Sequence, residues 1–116
     1  LPRVADPAAA QRRRELARAL IAAAPGRVPA PFATVPDGAS PFVLPLADPR
    51  PGELIPALAR RGVQAVRLWA LPHPLLPARA FPQAARRRAT TVVVPLHQHL
   101  RPADVERIAA ALEATA

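Results

Sequence analysis

The chain has 116 residues, which suffices for one domain with a small core. Hydrophobic residues make up 51% of it, yet no apolar run approaches the roughly 20 residues of a membrane-spanning helix, which excludes such a span. Cysteine is absent, which excludes disulfides and thiolate metal sites, and all 16 Lys+Arg residues are arginines, which excludes lysine chemistry. The net charge is +8, but the Ala-, Arg- and Pro-rich composition suits a high-GC coding sequence, so charge alone indicates no nucleic-acid partner.

The first part of the chain predicts a helix and a connector. Asp6 and Pro7 form an N-cap and a first helical position, and Leu16 and Leu20 repeat at helical spacing over residues 8–24. The following stretch is rich in proline and turn residues. We therefore assign residues 1–26 to an N-terminal linker helix, residues 27–40 to a Pro-rich connector and residues 41–116 to a domain. Because the chain opens on Leu1 and contains no methionine, we expect a C-terminal fragment of a longer protein.

Strands and helices alternate along residues 41–116. The predicted strands are residues 42–47, 63–70 and 90–96. The predicted helices cover residues 53–61, 81–89 and 102 onwards, with Gly62 ending the first of them. Pro45 predicts an edge or bulged strand, and Arg101 predicts a weakly capped last helix. This order indicates an α/β class fold, an α+β two-layer sandwich with a three-stranded sheet.

The three histidines are the first candidates for chemistry. His97 and His99 are two residues apart at the exit of a predicted strand, and His73 lies in a proline-rich loop. Three imidazoles would suit zinc, but the nearest acid is Asp104, so we predict no metal site. A position at a strand end or along a domain cleft is the better interpretation.

The remaining side chains do not form a complete catalytic site. Most of the acids fall at helix starts or exposed helix positions, where they suit the helix dipole. The sequence contains no Gly-rich phosphate loop and no Ser/His/Asp arrangement, since Ser40 is its only serine. Arginine runs at 12–14 and 86–88 have no interleaved aromatic residues, which favours a solvated face over nucleic-acid binding.

Three stretches resemble the C-terminal small domain of DegT-type (DegT/DnrJ/StrS) pyridoxal-phosphate-dependent sugar aminotransferases. Residues 50–63 (RPGELIPALARRGV) look like the family's helix that ends in glycine before a strand. Residues 69–74 (WALPHP) look like its strand exit with a His/Pro pair. Residues 94–108 (VPLHQHLRPADVERI) look like its closing strand end, turn and terminal helix. The resemblance covers about residues 41–113, and Arg101 departs from the family's usual Ser or Thr before the proline.

The resemblance implies the small domain of a fold-type I aminotransferase, with pyridoxal phosphate bound mainly by a large domain of the same protein. It further implies a small-molecule substrate, a homodimer, a cytoplasmic location and no membrane partner. Four side chains become cleft candidates: Trp69, His73, His97 and His99. With no lysine for a Schiff base, the chain alone is expected to be inactive. The alternative is a stand-alone basic binding module without catalysis.

The strand direction decides whether these candidates can share a cleft. Trp69 and His97 each follow a predicted strand. If a helical crossover through residues 81–89 makes those strands parallel, both side chains lie at one edge of the sheet. If the strands are antiparallel, the two side chains lie at opposite edges. The sequence leaves both arrangements open.

Overall fold

A computed structural model describes residues 6–116; the first five residues of the expected linker helix lie outside the described residues. The elements are α1 (Pro7–Ala23), a short 3₁₀ turn (Ala30–Phe32), β1 (Val43–Ala47), α2 (Pro51–Ala59), α3 (Pro82–Thr90), β2 (Thr91–Pro95) and α4 (Pro102–Ala114). This is an α/β fold with four helices and a two-stranded antiparallel sheet.

Local sequence explains where the helices begin and end. The Asp6 carboxylate accepts the backbone N–H groups of Ala8 and Ala9, which caps α1. Gly62 has a φ of 75°, a conformation that favours glycine, at the end of the turn that follows α2. α2 begins at Pro51, two residues earlier than expected, so Pro56 falls in its second turn.

Helices α1, α2 and α4 surround the two strands. α1 packs on α4 and on β1, and α2 packs on β2. The side chains with the least exposure come from all of these elements and from the segment after β2. They are Leu20, Leu46, Leu58, Val92, Val94, Leu96 and Leu112. One core therefore joins the α1 helix to the part of the chain that follows the connector.

The third strand of the expected sheet does not form. Only Val66 of residues 63–70 pairs, in an isolated antiparallel bridge with Val93. The next partners along such a ladder would be Gln64 with Pro95 and Leu68 with Thr91. Pro95 has no N–H to donate, and the chain turns at Leu68. Both extensions are therefore blocked, and the expectation of three strands is wrong.

Pro45 behaves as its position in the sequence predicts. It lies opposite Val93, whose N–H and C=O both point away from β1, toward Val66. Pro45 and Val93 thus form a non-hydrogen-bonded pair, and the missing N–H of Pro45 faces the outer edge of β1. The proline costs the ladder no bond there, and β1 is an edge strand.

Candidate functional site

The turn after β2 brings two of the predicted histidines together. The ring centroids of His97 and His99 are 6.2 Å apart. Between them in sequence, the Gln98 side chain accepts a 2.9 Å hydrogen bond from Arg13 Nε and lies 3.1 Å from His99 Nε2. Because arginine only donates, the amide oxygen must face Arg13 and the amide nitrogen must face His99. His99 Nε2 therefore accepts the hydrogen bond from the amide nitrogen of Gln98. The bond between Arg13 and Gln98 ties the turn to α1.

His73 lies in a different part of the structure. Its Nδ1 accepts a 3.1 Å hydrogen bond from the Leu75 N–H, which closes a turn within its own loop. Across residues 6–116, no three His, Asp or Glu side chains are grouped as metal ligands would be. His97 and His99 thus form a pair, whereas His73 stands apart in its own loop.

Trp69 and His97 lie at opposite ends of β2. The bridge between Val66 and Val93 is antiparallel, so the chain beyond Val66 runs toward Thr91, whereas His97 follows Pro95. The parallel arrangement that would place both at one edge is therefore wrong. Trp69 is 65% exposed. The structure brings His97 and His99 together but not all four candidates.

A long exposed segment follows the bridge, and the sequence analysis named only Trp69, His73 and the proline-rich loop within it. No residue from 66 to 90 is buried, and we call these residues the exposed segment. Several large apolar side chains stand out along it: Val66, Leu68, Trp69, Leu71, Leu75, Leu76 and Phe81. The available signal for its exposure was the run of apolar residues among prolines over residues 71–77, which has neither helical nor strand periodicity.

The exposed segment has a defined backbone nonetheless. Leu76 N–H bonds the His73 carbonyl at 2.9 Å, and Phe81 N–H bonds the Pro77 carbonyl at 3.1 Å. Arg88 reaches back from α3 to the Ala70 carbonyl at 3.3 Å. The apolar side chains therefore project from an internally bonded loop.

The charge of the exposed segment has one sign. Its basic residues are Arg67, Arg79, Arg86, Arg87 and Arg88. No Asp or Glu occurs between Glu53 and Asp104. None of these arginines forms an ion pair within residues 6–116, whereas arginines elsewhere pair with Glu15, Asp37, Asp48, Glu53 and Asp104. Apolar surface and uncompensated positive charge thus lie in the same part of the chain.

A second region joins the connector to the end of α4. The Arg27 guanidinium donates to the Leu112 carbonyl at 2.7 Å and to Thr115 Oγ1 at 3.2 Å, and it lies 3.7 Å from the Asp48 carboxylate. A surface pocket of about 320 Å³ beside it is lined in part by Asp48, Arg60 and Thr115. The residues that line the pocket carry both positive and negative charge, and both of its carboxylates already pair with arginines. We therefore assign the contacts of Arg27 a structural role.

The start of α4 carries a perturbed carboxylate. Asp104 accepts the Arg101 backbone N–H at 3.0 Å and the Arg101 guanidinium at 2.9 Å. These bonds to Arg101 lower the pKa of Asp104 from 3.8 to about 2. The Arg101 side chain does not cap the helix, as the sequence predicts. Instead, the Asp104 side chain accepts the backbone N–H of Arg101, the residue at the N-cap position.

Among the described residues, no helix is both long and apolar enough to cross a membrane.

Two comparisons with known proteins found no match. No protein-family model matches the chain, and no curated protein matches it.

Proposed function

We propose that the chain is the C-terminal domain of a pyridoxal-phosphate-dependent aminotransferase of the DegT sugar-aminotransferase type. In that role it covers a cofactor and substrate cleft that another domain carries. The whole enzyme would transfer an amino group to a keto-sugar or related small molecule and would work as a homodimer.

One observation carries this proposal. The first and last of the three resembling stretches fold against the same core: α2 leads through Gly62 to the Val66 bridge, and β2 leads through the His97 turn to α4. The middle stretch is the loop between them. The first and last resembling stretches thus pack in one core, together with α1, which lies outside the resemblance.

The residues present do not fit the cofactor itself. Pyridoxal phosphate is held through an imine to a primary amine, and the chain contains no lysine side chain. The chain's own contribution would be to close over bound substrate and exclude water. The exposed segment supports that role, because an apolar loop of this length is expected to lie against another surface.

Borohydride trapping tests the proposal. The native protein that carries this chain would be isolated from its source, reduced with borohydride and digested, and the pyridoxyl-lysine located by mass spectrometry. We expect a pyridoxyl-lysine on the same polypeptide, outside these residues. A native protein of about 12.3 kDa with no pyridoxyl group would instead favour a stand-alone basic binding module.

A further inference from the structure

We propose that the exposed segment docks on a protein surface that carries both apolar and acidic side chains. The chemistry of that surface follows from the segment. That the partner surface belongs to the cofactor-bearing domain rests on the function proposed above.

The apolar side chains define the first feature of the docking surface. Leu71 is 83% exposed, Leu75 79% and Trp69 65%, although the chain has a core that buries leucines completely. Single exposed apolar residues are ordinary, but the concentration of seven of them within residues 66–81 favours an interaction site. Covering such side chains removes apolar area from water, which stabilises the complex.

The arginines define the charge of the partner. Arg86 and Arg87 are exposed on α3, Arg67 and Arg79 are exposed in the loop, and none of them has a carboxylate partner within residues 6–116. A guanidinium binds a carboxylate with paired hydrogen bonds. A complementary surface would therefore carry Asp or Glu as well as apolar side chains.

Helix α3 independently indicates a missing neighbour. It has nine residues, none of them buried, and its N-cap residue Phe81 makes no side-chain cap hydrogen bond. Helices this short are marginal in water without tertiary packing. Contact with a partner would supply the packing that the rest of the chain does not.

The shape of the loop favours a protein over a lipid or nucleic-acid partner. Prolines at 72, 74 and 77 fix φ at three positions, and the bonds at His73 and Pro77 close two turns, which together restrict its backbone. A preorganised loop gains affinity from a partner of matching fixed shape. Trp and Arg are also the residues that dominate protein–protein binding energies, whereas nucleic-acid interfaces are more polar.

Site-directed photocrosslinking in the native protein tests this proposal. A benzophenone amino acid would replace Leu71 or Leu75, with Glu113 on α4 as the control position. We expect crosslinks from 71 and 75 to peptides that contain both Asp or Glu and apolar side chains. Arg86→Glu with Arg87→Glu should lower the yield roughly tenfold by opposing those carboxylates.

A matched charge change elsewhere controls for net charge. Arg60→Glu with Arg61→Glu alters the charge equally at the end of α2 and should leave the yield within about twofold. Circular dichroism would check that both variants fold, and Arg67→Glu with Arg79→Glu provides a second test pair. Crosslinks to lipid, to nucleic acid, to a second copy of these residues or to peptides without acids would overturn the proposal, as would a yield no higher than from position 113.

The outcome separates this inference from the proposed function. Acidic crosslinked peptides in a protein without pyridoxal phosphate would support the docking surface and contradict the aminotransferase. Crosslinks to a cofactor-bearing domain through peptides without acids would support the aminotransferase and contradict the acidic surface.

Discussion

Arg27 joins three parts of the chain that are distant in sequence. Its guanidinium contacts the end of α4 and Asp48, and its backbone carbonyl accepts the Ala47 N–H at the outer edge of β1. The side chain is only 12% exposed, so its bonds are shielded from water. A single arginine thus fixes the connector against both the sheet and the last helix.

Replacing this side chain should destabilise the fold. Arg27→Met keeps much of the volume but removes the bonds to Leu112 and Thr115 and leaves Asp48 without its cation. We expect a loss of roughly 1.5–3 kcal/mol in the free energy of unfolding, measured by urea titration. Arg12→Met, at an exposed pair with a separation of 3.9 Å, should change it by less than about 0.5 kcal/mol. Equal effects of the two variants would contradict the role given to Arg27.

Asp104 makes the stability of α4 depend on pH in one direction. Its pKa in the folded chain is about 2, below the ordinary 3.8, so the carboxylate favours the folded state. The contribution of Asp104 to stability is therefore complete above pH 3.8, its ordinary pKa. This contribution is lost as the pH falls through the folded-state pKa of about 2.

Asp104→Asn tests this dependence. The variant should unfold at a lower urea concentration than the parent chain at pH 6, and the difference should shrink between about pH 4 and pH 2. Glu113→Gln, at an exposed position on the same helix, serves as the control and should show no such convergence. A parent–variant difference that is constant down to pH 2 would contradict the assignment.

At the scale of elements, α4 belongs to the core. Ile108 is 4% exposed and Leu112 is fully buried, and the helix packs against α1. Ile108→Ala should lower the free energy of unfolding by about 2–5 kcal/mol, because it removes buried methyl groups and leaves a cavity. Thermal or urea unfolding measures the change, and Glu113→Ala should leave stability nearly unaltered. Similar small effects of both variants would show that α4 is not packed as described.

The two-stranded sheet has a specific cause that can be reversed. Pro95→Val supplies an N–H on the side of β2 that faces Gln64, where the third strand stops. We expect the new amide at 95 to be protected in hydrogen exchange followed by NMR. Pro45→Val places a new N–H on the outer edge of β1 and should exchange faster. An unprotected amide at 95 would mean that something other than the proline limits the sheet.

Much of this fold follows from local signals in the sequence. Asp6, Gly62 and the apolar spacing of α4 predicted their helices because capping, positive φ and periodicity act over a few residues. The prediction of a third strand was wrong because strand pairing depends on the neighbouring strand. The sequence around Val66 had a good strand pattern, but Pro95 of β2 lacks the N–H that would bond to Gln64. The relation of Trp69 to His97 depended on strand direction, and the tie at Arg27 spans 85 residues to Leu112, so neither has a local signal.

At the scale of the whole molecule, most elements share one core and residues 66–90 stand outside it. The core joins α1, α2, α4 and the sheet, whereas residues 66–90 contribute no buried side chain. All eight acids lie outside residues 54–103, so positive charge is concentrated with the exposed apolar side chains. This distribution suits a domain whose exposed segment lies against another surface, as the aminotransferase proposal requires.

The rate of amino transfer by the native protein that carries this chain tests the central claim most directly. With a panel of amino acids as donors and keto-sugars as acceptors, we predict turnover that requires pyridoxal phosphate. Trp69→Ala with Leu71→Ala should lower that turnover by roughly tenfold or more while the cofactor stays bound, because the cleft would no longer be closed to water. Turnover that is absent from the native protein, or that is unchanged in this variant, would contradict the account.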